Sequence, residues 1–247
     1  FKVALAMRQR LYPAPFYRLA FGEADLLPGL VVDRYGSVLV VQIGTAGMEA
    51  MKDDILEALV KVLDPEAVLW KNDSSIRELE GLDRYVETAL GQVPDMVEVP
   101  EGGVVFRVPL AAGQKTGWYF DQAANRALFA RHAAGQRVLD VFSYAGSFGL
   151  QAARAGAAEV TCIDSSAAAL ETAAETAAAN GLEAELLKGD AFDMLEALHA
   201  DRRKFDLVVV DPPAFIKRKK DHPKGLAAYR RLNQLAMQLL DRDGLLL

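Results

Sequence analysis

Val138-Leu-Asp-Val-Phe-Ser-Tyr-Ala-Gly-Ser-Phe-Gly149 decides how this chain folds. Val138 to Val141 is apolar around one acid, Asp140, as in a strand buried on both faces. Ser143, Ala145 and Gly146 make a turn of small residues, and an Ala-rich helix follows. A parallel strand that runs into such a turn and helix leaves a ligand-sized site at its carboxyl end. Further on, Val208-Val-Val-Asp-Pro-Pro-Ala-Phe215 is a second apolar strand ending in an acid.

Working outward, strands are expected at Arg137–Val141, Glu159–Ile163, Ala184–Leu187 and Leu207–Asp211, with another starting at Leu245. Helices are expected at about Phe148–Ala155, Ala167–Asn180, Ala191–His199 and Leu226–Leu240, and Gly181 is a helix stop. This alternation predicts an α/β domain with a Rossmann-like parallel sheet wrapped on both faces. Upstream the rhythm differs. Leu30 to Gln42 reads as two strands around a turn at Arg34-Tyr-Gly-Ser37, and Gly47–Leu63 as a helix with Met51, Ile55, Leu59 and Val62 on one face. Ala67–Lys71 is a further strand, which makes a small α+β domain of strand, strand, helix, strand. A second hairpin, Met96–Val108, turns at Glu101-Gly-Gly103 and connects the two. The expected division is residues 1–92, a small central domain with an N-terminal linker, and residues 93–247.

The 247 residues are 51% apolar and 25% charged, and no apolar run approaches a membrane span. The lone Cys162 excludes an internal disulfide framework and fits a reducing cytoplasm. His132, His199 and His222 are scattered, so no metal site is expected. The net charge of −6 does not advertise a polyanion partner. Its distribution does: Lys217, Arg218, Lys219, Lys220, Lys224, Arg230 and Arg231 crowd together just after Asp-Pro-Pro, a placement suited to phosphate contact. The first residue is Phe, and Asp241 to Leu247 reads as a turn opening an unfinished strand, so a piece of a longer protein is expected.

A ribose-bearing cofactor needs an acid at the end of the second strand to accept its two hydroxyls, and Asp164, followed by Ser165, stands there. Asp140 and the turn Phe142, Ser143, Tyr144, Ala145 and Gly146 allow close approach of backbone to ligand. A dinucleotide enzyme would carry Gly-x-Gly-x-x-Gly here; Tyr144-Ala-Gly146-Ser-Phe-Gly149 lacks the first glycine, which favours S-adenosylmethionine, a cofactor without phosphate. Asp190, followed by Ala191, suits an adenine amine or a helix N-cap. In Gly113-Gln-Lys-Thr-Gly-Trp-Tyr-Phe-Asp-Gln122, the residues Lys115, Thr116, Phe120 and Gln122 suit the amino-acid end of that cofactor. Asp211, which also borders the cofactor, opens Asp-Pro-Pro213, where prolines with fixed φ shape a flat slot for a planar base. Exocyclic-amine methylases place an aromatic directly after Pro-Pro; here Ala214 intervenes before Phe215.

Gly113-Gln-Lys-Thr-Gly117 with Asp121-Gln122, Asp140 to Gly146, Asp211-Pro-Pro-Ala-Phe215 and Leu27-Pro-Gly-Leu-Val-Val-Asp-Arg34 together resemble the bacterial 23S rRNA cytosine-5 methyltransferases. The resemblance implies a class I methyltransferase domain, S-adenosylmethionine as cofactor, 23S rRNA as partner, and often a dimer. It also implies an RNA-binding PUA domain, which would lie before Phe1. Cytosine C5 is a poor nucleophile, so the enzyme adds a thiolate to C6 first. Cys162 sits mid-strand, where a buried packing role is expected. The resemblance places the nucleophilic Cys just past Leu247, leaving Asp211, Pro212 and Phe215 as the base slot. Two alternatives stay open: methylation of a guanine nitrogen, which needs no thiolate, and a non-catalytic cofactor-binding RNA assembly factor.

Overall fold

The computed structural model describes residues 1–216 and 218–247. They divide into two units: residues 1–99 with 108–122, and residues 100–107 with 123–247. The segment 108–122, which a single cut at residue 92 would assign to the second domain, packs with the first.

The first unit runs α1 (Lys2–Leu11), β1 (Phe16–Phe21), β2 (Leu30–Tyr35), β3 (Val38–Ile43), α2 (Ala46–Ala50), α3 (Lys52–Leu63), β4 (Ala67–Asn72), α4 (Ile76–Leu79) and β5 (Tyr85–Leu90). Its sheet has the order β1-β2-β3-β4-β5, with only the β3–β4 pair parallel. The expected hairpin is β2–β3, with Gly36 at φ +66 in its turn. Two edge strands join the expected elements. β1 hides in the sequence because a bulge between Arg18 and Ala20 breaks its alternation, and β5 because Val86, Glu87 and Thr88 are all exposed. The helix expected over Gly47–Leu63 splits at Met51, whose φ of −101° and ψ of 15° end α2. Ile55 and Leu59 enter the core with Val41 and Trp70 as expected, whereas Met51 faces solvent.

The hairpin β6 (Met96–Glu101) and β7 (Val104–Pro109) turns at Gly102 and Gly103, both with positive φ. The second unit continues through α5 (Ala123–Ala130), β8 (Arg137–Val141), α6 (Ser147–Arg154), β9 (Glu159–Asp164), α7 (Ala167–Ala179), β10 (Glu185–Lys188), α8 (Ala191–Ala200), β11 (Phe205–Val210), α9 (His222–Leu239) and β12 (Leu240–Leu246). All its sheet pairs are parallel, in the order β10-β9-β8-β11-β12. The chain therefore starts in the middle of the sheet, builds outward through β9 and β10, and returns to the other side of β8 with β11. The strand order reverses between β8 and β11, which is where an open parallel sheet forms a ligand crevice at its carboxyl ends.

α6 lies close on this sheet because residue 149 has no side chain. A Cβ there would stand 2.5 Å from Cys162 Sγ and 3.0 Å from Val160 Cγ1. Gly149→Ala should therefore cost about 1–3 kcal/mol of stability through overpacking. Urea midpoints check this, and Cys162→Ala in the same chain should recover part of the loss. A Gly149→Ala protein as stable as its parent would contradict the packing.

Candidate functional site

The β8–α6 turn has unusual backbone: Phe142, Tyr144 and Gly146 have φ of +65, +51 and +71. Two non-glycine residues in the left-handed region are strained, and the surroundings must hold them. The Ser143 N–H donates to Ile163 O at 2.9 Å, and the Tyr144 N–H to Asp164 Oδ2 at 2.8 Å. The Ser166 N–H donates to Asp164 Oδ1, also at 2.8 Å. Asp164 thus sits with both oxygens anchored beside the turn, with lone pairs remaining for hydroxyl donors.

Asp140 is 1% exposed. Its Oδ2 accepts the Gly149 N–H at 2.8 Å, while Oδ1 has no partner among the described residues. Burial pushes its carboxyl up to about 7, against the Gly149 N–H, and the charges of Asp211 and Asp164 add to the rise. Ser143 Oγ is likewise buried, with no partner among the described residues. Both atoms lie on one strand end and its turn.

Asp190 caps α8, accepting from the N–H of Phe192 at 2.9 Å and of Asp193 at 3.4 Å, so the N-cap reading is realised; Ala191 behind it is buried. The Asp211 N–H donates to Val141 O at 3.3 Å across the reversal point. Asp140, Phe142 to Gly146, Asp164, Ser165, Asp190, Ala191 and Asp211 consequently share the carboxyl edge of β8, β9, β10 and β11. Lys115, Thr116, Phe120 and Gln122 belong to the other unit. There the Thr116 hydroxyl donates to Asp33 Oδ2 at 2.5 Å and its carbonyl accepts the Tyr35 hydroxyl at 2.9 Å. Phe120 packs on the Tyr35 ring, with centroids 5.2 Å apart.

After β11 the chain turns through half-buried Pro212 to Phe215, whose ring centroid is 6.4 Å from Phe142, 6.0 Å from Phe192 and 4.7 Å from Tyr229. The Phe215 N–H donates to the Tyr229 hydroxyl at 3.1 Å. Sequence reasoning passed over Phe192 and Tyr229. The available signal was helical spacing, since Tyr229 shares a face of α9 with the buried Leu232 and Ala236. In the basic segment Arg218, Lys219, Lys220, Lys224 and Arg230 are exposed, while Arg231 pairs with Glu196 at 2.5 Å; Lys217 lies outside the described residues. Cys162 is fully buried and its thiol is held well above its ordinary value by burial and by the neighbouring Asp140.

The Asp140 carboxyl gives a pH signature. Its unfolded form loses the proton near 3.8 and its folded form near 7, so stability falls as pH rises between those values and is level above them. In cofactor-free Asp140→Asn protein that fall should shrink by up to about 4 kcal/mol. Chemical denaturation at a series of pH values measures it, and an unchanged slope would rule out a protonated Asp140.

The family profile of S-adenosylmethionine-dependent methyltransferases matches residues 70–247. The ribosomal RNA large subunit methyltransferase I of Shewanella frigidimarina is 40% identical over 235 residues, which cover 94% of this chain and 59% of that protein. The protein of the same name from Erwinia tasmaniensis is 37% identical over 247 residues, covering 98% of this chain and 62% of its own length. The chain thus spans about three fifths of the length of these relatives. A candidate methyltransferase crystallised with SAH is similar in structure with a TM-score of 0.85, at 25% identity, over 100% of this chain and 64% of that one. On the profile match and the carboxyl-edge site together, the chain belongs to the S-adenosylmethionine-dependent methyltransferase family.

Proposed function

We propose that the protein carrying this chain methylates C5 of a cytosine in 23S rRNA, in the cytoplasm. The observation that carries the reading is the row of acids along the carboxyl edge, Asp140, Asp164, Asp190 and Asp211, standing beside the aromatic cluster around Phe215. The names of the relatives support RNA as the substrate.

The unsatisfied Asp140 Oδ1 and Ser143 Oγ fit a cofactor rich in polar groups. Asp164 and Ser165 meet the ribose hydroxyls, and Asp190 meets the adenine amine with Ala191 below the ring. The turn Phe142 to Gly146 lines the cofactor, and Lys115, Thr116, Phe120 and Gln122 serve its amino-acid end. When bound, S-adenosylmethionine supplies an electrophilic methyl group on a sulfonium. Asp211 contacts the base edge, Pro212 shapes the slot and Phe215 flanks the ring. Exposed Arg218, Lys219 and Lys220 contact phosphates, together with Lys217 and a PUA domain outside these residues.

Cytosine C5 chemistry requires a thiolate that adds to C6, lets C5 take the methyl, and leaves once a base has removed the C5 proton. Buried Cys162 cannot do this, so the thiolate comes from outside residues 1–247. Cys162→Ser in the full-length protein should accordingly keep its methylation rate within about twofold, because a packing thiol touches no reacting atom. Asp164→Ala should weaken S-adenosylmethionine binding by about tenfold to a hundredfold, the loss of hydrogen bonds to a charged group. Calorimetry measures this, and unchanged affinity would remove the site assignment.

Nucleoside mass spectrometry of 23S rRNA, from cells lacking the protein and from cells in which it is restored, tests the whole reading. Loss and return of 5-methylcytidine is expected. Loss of a methylguanosine would move the chemistry to a base nitrogen, and an unchanged nucleoside profile would leave a cofactor-binding assembly factor.

A further inference from the structure

One face of α9 is built around the main chain of Phe215. Gly225, Tyr229, Leu232 and Ala236 recur along it at helical spacing, and all but Tyr229 are buried. A Cβ at residue 225 would stand 3.0 Å from Phe215 O, 3.1 Å from its carbonyl carbon and 2.3 Å from Ile216 Cγ1. Glycine is disfavoured inside a helix, and here its missing side chain is what lets the chain after β11 lie against α9. One turn further on, the Tyr229 hydroxyl accepts the Phe215 N–H at 3.1 Å, and the two rings lie 4.7 Å apart. The helix thus meets Phe215 at its N–H, its carbonyl and its ring. The stretch that leads there, Asp211 to Ala214, belongs to no helix or strand, and Asp211, Pro213 and Ala214 are exposed. Pro212 and Pro213 have no N–H with which to tie it down. One end is held by the Asp211 N–H on Val141 O, and the other by the Phe215 N–H on Tyr229.

We infer that Tyr229 is a positioning residue of the base slot: its hydroxyl fixes the Phe215 main chain and so sets where the Phe215 ring stands relative to Asp211, with Gly225 making room for that arrangement. The effect of Tyr229 on the reaction runs through Phe215. Misplacing a group that orients a substrate by about 1 Å costs on the order of a hundredfold in rate, so a single hydroxyl far from the reacting atoms carries weight. The inference rests on the preceding reading that Asp211 to Phe215 receive the base.

The test uses the full-length protein and 23S rRNA from cells lacking it, and measures single-turnover transfer of labelled methyl from S-adenosylmethionine, whichever base atom receives it. Tyr229→Phe keeps the ring and removes the acceptor, so transfer should slow about tenfold to a hundredfold. Affinity for S-adenosylmethionine, measured by calorimetry, should stay within about twofold, because the cofactor contacts are untouched. In a Phe215→Ala background the same change should alter the rate by less than about twofold, since no ring is left to position. Equal slowing in both backgrounds would mean a general structural role and would overturn the inference, as would weakened cofactor binding or an unchanged rate in the first variant. If Tyr229→Phe fails to fold, Gly225→Ala, which crowds the same main chain, should show the same slowing and the same dependence on Phe215. An unaltered protein that transfers no methyl defeats the reading of the function, whereas transfer that Tyr229→Phe leaves at full rate defeats only the role of Tyr229.

Discussion

The bond from the Gly149 N–H to the buried Asp140 carboxylate, 2.8 Å long, is what the rest of the methyltransferase unit hangs on. It ties the first turn of α6 to the end of β8, and it forms only because residue 149 lets the helix approach Cys162 and Val160 so closely. With both ends of the turn held, Phe142 and Tyr144 are kept in the left-handed region. The Ser143 and Tyr144 N–H groups then reach Ile163 O and Asp164, which couples the turn to β9. The same burial raises the Asp140 carboxyl, and its Oδ1 has no partner among the described residues. Backbone strain and an unpaired buried polar atom are thereby concentrated at this one strand end.

In the smaller unit comparable positions are held by buried charge. Asp33, fully buried, receives both Nε and a terminal nitrogen of Arg18 at 2.9 Å, and the Thr116 hydroxyl besides. Arg77, 1% exposed, donates to the carbonyls of Ile43 and Asp83 and pairs with Glu49 at 2.9 Å. Such pairs add little net stability compared with apolar packing, but losing one partner strands a buried charge, so they hold the loops they join in one arrangement. For Thr116 the outcome is a hydroxyl anchored to β2, which sets the backbone of the Gln-Lys-Thr-Gly loop.

Much of this was legible before any coordinates. β8 and its turn, β9 and β11 lie where apolar runs ending in acids placed them, because a strand buried on both faces writes a continuous apolar signature. Gly181, with φ +62, ends its helix as expected. The misses share a cause. β1 carries a bulge, β5 shows solvent three consecutive side chains, and α2 breaks from α3 at a Met that matched the helical period yet lies outside the core. Periodicity reports which residues prefer burial and says nothing of a kink that turns one of them outward.

The sequence by itself determined the alternation of strands β8 to β11 with their helices, the acids at the strand ends and the small-residue turn, since these follow from local preference and the two periods of backbone geometry. Only the tertiary structure decided which groups meet. Tyr229 reaches the Phe215 N–H from the middle of a helix, Thr116 finds Asp33, and Asn72 accepts the Ile43 N–H across 29 residues of chain. The physical reason is that hydrogen bonding and burial depend on distance in space, and residues 33 and 116 carry no local mark of their approach. That proximity exists only once the chain has closed on itself.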